Sequence, residues 1–214
     1  MRKSETQKGA ERFVPPGRNI GELQAAAASC KGCELWKNAN QTVFGAGSGR
    51  ASIMLIGEQP GDQEDVKGVP FSGPAGRLLD RGLIEAGICR EEVYITNAVK
   101  HFKWLPRGKR RLHQKPNSRE ISACKPWLLA ELETIQPHVL VCLGATAARA
   151  VFGKPVKILE RRGELVASEL RPRVVVTVHP SSILRIVEAE MRQLAMQQFV
   201  NDLRKAREAL GIRK

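Results

Sequence analysis

From Ile53 to Ile56 this chain is apolar at every position, and the run SIMLIG (52–57) gives way at once to Glu58 and Gln59. A strand buried on one face alternates apolar with polar residues. A strand apolar throughout is covered on both faces, as in a parallel sheet held between two layers of helices. His138–Leu143 (HVLVCL) has the same character, and Glu92–Ala98 (EVYITNA), Leu165–Ala167 and Arg173–Val178 read as further strands. Helical stretches with their own punctuation lie between them. Asn19 caps a short helix through Leu23 toward Ser29, and Pro74 opens a helix that buries Leu78, Leu79 and Leu83 and stops at Gly87. Asn117 with Glu120 makes a capping box for a helix to about Ile135, and Gly144 opens a short helix. A last helix runs to about Leu210 with Phe199, Leu203, Ala206 and Leu210 on one face. This alternation predicts a three-layer α/β/α sandwich with a mainly parallel central sheet. Residues 1–18, polar and containing Pro15-Pro16, are expected to form a flexible basic arm, and 19–214 a single domain.

Charge narrows the partners. Lysine plus arginine is 35 against 22 acids, a formal net charge of +13. Residues 101–119 hold Lys103, Arg107, Lys109, Arg110, Arg111, Lys115 and Arg119 with no acid among them, so about half of that excess sits in one loop. Such concentration points to a polyanion, nucleic acid first, rather than to charge spread for solubility. No stretch reaches the roughly 18 apolar residues of a spanning helix. MRKSETQKGAERFVPPGR, at the N-terminus, lacks the apolar segment of a secretory signal. The expectation is a cytoplasmic protein with no membrane partner.

Polar residues gather at strand ends, where an open parallel sheet binds ligands. The first strand runs into Glu58 and Gln59, the second ends on Asn97, and the last runs into His179-Pro180-Ser181-Ser182. Singly each is a cap or a turn residue; three strands ending this way predict a site. Phe71, set among glycines and prolines in GVPFSGPAG (68–76), either plugs the core or offers a ring face for stacking. Within the basic loop, His113 stands among arginines that disfavour its protonation, and a neutral imidazole is a base or a nucleophile. There is no G-x-x-x-x-G-K-[ST] loop, and Gly45-Ala-Gly47-Ser-Gly49 precedes its strand instead of following it, so NTP hydrolysis and NAD binding are not expected.

The cysteines are 30, 33, 89, 124 and 142. An odd count in an unsecreted chain favours metal or free thiols over disulfides. Cys142 belongs to an apolar strand and Cys89 reads as an unpaired surface thiol. Cys30 and Cys33, spaced C-x-x-C, combine with Cys124 and His101 into a Cys3His set. On chemistry alone zinc fits that set at least as well as an iron–sulfur cluster.

GEQPGDQED (57–65), PFSGPAGRLLD (70–80), YITNAVK (94–100), LGATAA (143–148) and HPSSILR (179–185) together resemble the uracil-DNA glycosylase superfamily, and in particular its iron–sulfur family 4. The resemblance runs from Cys30 to the final helix. Family 4 carries cysteine directly after the VK of its TN-x-VK motif, where this chain has His101, and the loop that follows reads GKRRLH (108–113). Both features resemble the UdgX branch, in which a histidine of that loop bonds covalently to DNA. The resemblance implies a structural [4Fe-4S] cluster on Cys30, Cys33, His101 and Cys124, with zinc as the alternative. It implies uracil-containing DNA as partner, single-stranded or double-stranded, and a monomer. It further implies a uracil pocket of Gln59, Phe71, Asn97 and His179, with His113, Glu58 and His179 catalytic. Lys109, Arg110, Arg111, Ser181, Ser182 and Arg185 would contact DNA. His113 would attack C1′ after excision, making a single-turnover enzyme; the alternatives are a conventional turnover glycosylase of family 4 and a non-catalytic module for damaged or single-stranded DNA.

Overall fold

A computed structural model describes residues 9–17 and 19–211. Its helices are α1 (Ile20–Ala27), α2 (Asp62–Lys67), α3 (Pro74–Ala86), α4 (Ser118–Ile135), α5 (Ala145–Phe152), α6 (Ile158–Arg161), α7 (Pro180–Leu184) and α8 (Ala189–Gly211). The strands are β1 (Ala46–Gly47), β2 (Ile53–Gly57), β3 (Val93–Asn97), β4 (Trp104–Arg107), β5 (Arg110–His113), β6 (Val139–Leu143), β7 (Leu165–Val166) and β8 (Val174–Thr177). The main sheet has the order β1-β3-β2-β6-β8-β7. Its four inner strands are parallel, and the short edge strands β1 and β7 are antiparallel.

The continuous apolar runs are explained by cover on both faces. Along β2, Met54 and Ile56 point into a core shared with α1, α4 and α5, while Ile53 and Leu55 point into one shared with α3 and α8. The same two-residue alternation divides β6, with Leu140 and Cys142 on one side and Val139 and Val141 on the other. Cys142 is core, as the sequence implies. The expected caps are formed. Asn19 Oδ1 accepts from the Gly21 amide at 2.8 Å. Asn117 and Glu120 bond reciprocally at 3.0 and 2.7 Å, and Gly87 ends α3 with φ +69°.

Three expectations need correction. The basic segment is a β-hairpin rather than a loop: β4 pairs with β5, bringing Trp104 opposite His113. Gly108, at φ +58°, takes the first central place of its two-residue turn, the place that a II′ hairpin reserves for glycine. By its glycines and prolines the stretch from Glu58 to Gly73 reads as a loop, but α2 lies within it and Glu64 caps the helix by accepting from the Gly61 amide at 3.0 Å. Of the expected arm, residues 1–8 and 18 lie outside the described residues. Ala10–Phe13 form a 3-10 turn that packs on α4, with Ala10 buried. Gly9 and Gly32 allow that approach, because a Cβ at Gly9 would meet the Ala123 carbonyl at 2.7 Å and one at Gly32 the Ala10 amide at 2.7 Å.

A candidate active site at the strand ends

The C-terminal ends of β2, β3 and β8 open into a cleft of about 650 Å³ whose lining includes Glu58, Gln59, Phe71, His113, His179 and Arg185. Asn97 lies behind that lining, beside Gly57 and the Phe71 ring. The parallel register sets Asn97 opposite Gly57, and a Cβ at Gly57 would stand 2.2 Å from Asn97 Oδ1 and 2.7 Å from the Phe71 ring. Glycine is therefore required for the amide and the ring to meet there. The Asn97 side chain is 1 % exposed, yet neither Nδ2 nor Oδ1 has a hydrogen-bond partner. An unpaired buried amide is costly and marks a position completed by a ligand. Phe71 is held with φ +54°, a strained conformation for an aromatic residue, and its ring lies 5.7 Å from that of His179 at 32°. Glu64 supports this loop from below: it is buried, and the Gly61 and Phe71 amides oppose the rise that burial imposes on its carboxyl.

The two histidines of the cleft are set in opposite tautomers by their neighbours. The Ser181 amide donates to His179 Nδ1 at 3.2 Å, which leaves the proton on Nε2. Burial pushes this imidazole down to about 4, with His113 and Arg185 adding to the shift, so it is neutral at pH 7 and a donor through Nε2. Ser181 Oγ stands 2.8 Å from Nδ1 and accepts from Arg185 at 3.2 Å, and Ser182 Oγ donates to the His179 carbonyl at 2.7 Å. Both serines thus orient His179.

Gln59 sets the other tautomer. The Lys103 amide donates to Gln59 Oε1 at 3.1 Å, which fixes the side chain's orientation. Its Nε2, with two protons to give, then faces three acceptors, His113 Nε2 at 2.9 Å, the Gln114 carbonyl at 3.0 Å and the Lys103 carbonyl at 3.2 Å, the last the longest. His113 Nε2 therefore accepts and carries a lone pair. Burial holds this imidazole below its ordinary value of 6.5, Glu58 opposes the shift and Arg185 adds to it. Glu58 Oε1 is 3.5 Å from His113 Nε2, and Glu58 Oε2 accepts from Thr146 Oγ1.

Of the basic residues expected on DNA, Lys109 and Arg110 are exposed at the hairpin turn. Arg111 is turned inward instead. It donates to Asp62 at 2.6 Å and to the fully buried Asp65 at 2.5 Å, and lies over the rings of Phe102 and Trp104. It fastens the hairpin to α2. Sequence reasoning gave no role to Thr146, Glu64 or Lys115, the last an exposed cation in the cleft lining. It also missed the buried pair of Lys100 with Glu131, 2.5 Å apart, which gathers Tyr94 and Thr96 and donates to the Asn97 carbonyl at 2.9 Å.

On the opposite side of β3, Cys30, Cys33, Cys124 and His101 are all buried and the cysteines are free thiols. Among the described residues no three His, Cys, Asp or Glu side chains are gathered so as to hold a metal ion. The donor chemistry nonetheless suits a larger thiolate-bound group. Cys124 Sγ accepts from the Lys100 amide at 3.3 Å and Cys30 Sγ from Trp127 Nε1 at 3.2 Å, the N–H donors that cluster sulfurs use. Thr42 gives its proton to the Ala27 carbonyl at 2.8 Å, so it must accept from His101 Nε2 at 2.9 Å, which leaves the lone pair on Nδ1. Burial pushes His101 down to about 4 and Cys124 up to about 12, so the histidine is neutral and the Cys124 thiol needs a bound cation to ionise.

Comparison with known proteins agrees with this geometry. A family profile described as the uracil DNA glycosylase superfamily matches residues 44–204. The chain is 40% identical over 171 residues to a type-4 uracil-DNA glycosylase of Thermotoga maritima, covering 79% of this chain and 85% of that one. It is 34% identical over 200 residues to a type-4 uracil-DNA glycosylase of Archaeoglobus fulgidus, covering 90% and 94%. Against a type-4 enzyme of Saccharolobus solfataricus it is 35% identical over 201 residues, covering 90% and 87%.

Proposed function

The chain belongs to the uracil-DNA glycosylase superfamily and is a uracil-DNA glycosylase, and from that premise we propose a single-turnover enzyme that excises uracil and then joins the abasic sugar to His113. The observation that carries the base specificity is the unpaired amide of Asn97. Nδ2 donates to uracil O4 and Oδ1 accepts from N3–H. Cytosine presents an amino group and a bare ring nitrogen at those places, so both bonds are lost as long as the amide keeps this orientation. Reaching this amide requires the nucleotide to leave the stack, which is easiest in a weak pair or a single strand. Phe71 stacks on the flipped ring, and the Gln59 backbone lines it.

Excision breaks the bond between uracil N1 and C1′, and its electron pair leaves with the base. The neutral His179 donates from Nε2 to O2, where the charge collects. Glu58 places a carboxylate beside the cationic sugar. The lone pair on His113 Nε2 then forms a bond to C1′, and the resulting imidazolium loses its Nδ1 proton to solvent. The histidine–sugar bond persists in this reading, so each protein acts once. The Gln59–His113 hydrogen bond sets the tautomer and has to open before Nε2 bonds to C1′; the KRRLH run (109–113) supports a place in the UdgX branch. The identity with type-4 enzymes favours a second reading, in which water takes the sugar and the protein turns over.

Cys30, Cys33, Cys124 and His101 would hold a [4Fe-4S] cluster, with zinc the alternative ligand. The group would supply a structural staple between the N-terminal segment and the foot of the hairpin. Lys109, Arg110 and Arg185 would carry the salt-sensitive attraction to DNA phosphates.

Incubation with uracil-containing single-stranded DNA, followed by a denaturing gel, tests both readings. An adduct resistant to heat and SDS, at no more than one per protein, is the expected result. Free uracil in molar excess over protein with no adduct would establish the turnover reading, and unchanged DNA with tight binding would leave only a binding module.

A further inference from the structure

Glu58 faces a cleft that also holds two cations, Lys115 and Arg185. A carboxylate on a freely turning side chain would be drawn to either. It is held instead by a hydroxyl from a different strand's helix: Thr146 Oγ1 donates to Glu58 Oε2. An ionised carboxylate only accepts, and a threonine hydroxyl has one proton to give, so the contact has one polarity. We propose that Thr146 is a positioning residue whose hydroxyl pins one oxygen of Glu58 and thereby turns the other toward His113 and the reacting sugar. This inference rests on reading the cleft as the uracil-excising site.

The hydroxyl comes from a fixed place. Thr146 is 2 % exposed in the first turn of α5, and Gly144, the residue that opens α5, is tied to the strand leading to His179. The Gly144 amide donates to the Thr177 carbonyl at 2.8 Å. Gly144 takes φ +90°, and a Cβ there would meet His179 Cβ at 3.1 Å. The backbone that delivers Thr146 is therefore the backbone that packs against His179, and the carboxylate and the uracil-O2 donor share one support. With Oε2 taken, Oε1 is the oxygen left in the cleft, 3.5 Å from His113 Nε2. That separation is beyond a hydrogen bond, so Oε1 remains an anionic oxygen beside the histidine and free to face the cationic sugar.

The test uses Thr146→Val, which keeps the shape and removes the hydroxyl, and Thr146→Ser, which keeps the hydroxyl, each also in a Glu58→Gln background. The readouts are uracil release and adduct formation at saturating DNA, the half-saturating DNA concentration, and the melting temperature. Thr146→Val is expected to slow both steps by about ten- to a hundredfold, the range for losing one hydrogen bond to a charged group, with half-saturation moved by less than about twofold. Thr146→Ser should recover most of that rate, and in Glu58→Gln the valine should add nothing further. A wild-type rate in Thr146→Val, a loss confined to half-saturation, or an equal loss in the Glu58→Gln background would each overturn the proposal. Should Thr146→Val fail to fold, Thr146→Ala is read by the same criteria. Absence of uracil release from the unaltered protein would overturn the underlying reading instead.

Discussion

The side-chain amide nitrogen of Gln59 stands 2.9 Å from Nε2 of His113, and because Lys103 fixes the amide's orientation, that nitrogen is the donor. A residue at the end of a sheet strand thereby chooses which nitrogen of a hairpin histidine carries the lone pair. His113→Ser keeps the hairpin and removes the nucleophile. It should abolish the denaturation-resistant adduct while free uracil continues to accumulate beyond one equivalent, since water can then reach C1′. An adduct retained by this variant, seen on the same gel, would move the nucleophile elsewhere in the cleft.

Protonation of His113 removes the lone pair, so the adduct-forming rate should follow the neutral fraction. Burial and Arg185 hold the folded-state value below 6.5, and Glu58 only partly offsets them. The rate should therefore rise with pH through a limb centred below 6.5 and be flat at pH 7 and above. Arg185→Gln takes away a cation and should shift that limb to higher pH. Single-turnover rates at saturating DNA between about pH 4.5 and 8 check both statements; a limb centred above 6.5 in the unaltered protein would contradict the first.

Arg111 separates what the sequence suggests from what the fold does. As a phosphate contact, its loss would reduce the dependence of binding on salt by about one unit of the log–log slope. As a clamp on Asp62 and the fully buried Asp65, its loss leaves the slope unchanged and frees the hairpin. Arg111→Ala should cost about 3 kcal/mol of stability, because Asp65 is left a buried charge without its partner, and the adduct rate should fall because His113 is no longer held. Lys109→Ala and Arg110→Ala should each reduce the slope and leave stability within about 0.5 kcal/mol. Titrations at several salt concentrations together with urea unfolding distinguish the two patterns.

Much of this is visible in the sequence, and the rest is hidden for identifiable reasons. Continuous apolar runs mark β2 and β6 because both faces of each are covered, and the same runs place Glu58, Asn97 and His179 at one edge. The hairpin is not visible, since β4 and β5 alternate around Pro106 and three arginines and bury almost nothing that a periodicity could register. The inward turn of Arg111 depends on acids 46 and 49 residues away, on a helix concealed between glycines. Thr146 lies in an alanine-rich run where a single hydroxyl reads as helix filler. Only the approach of α5 to the end of β2 gives it a carboxylate to hold.

The unpaired amide of Asn97 has a thermodynamic consequence. In the free protein Nδ2 and Oδ1 are buried without partners, a penalty of about 1–3 kcal/mol for groups that bind water in the unfolded chain. Asn97→Leu keeps the branched shape, at a larger volume, and removes the penalty. It should raise the unfolding free energy by about 1 kcal/mol while abolishing uracil release, the exchange expected where a site is held ready for a ligand. Free uracil should stabilise the unaltered protein by mass action and leave Asn97→Leu unaffected. Urea unfolding of both proteins, with and without uracil, measures all of these effects. A variant that is less stable by a similar amount would show that the amide is satisfied in the free protein, and the base-recognition argument would lose its main support.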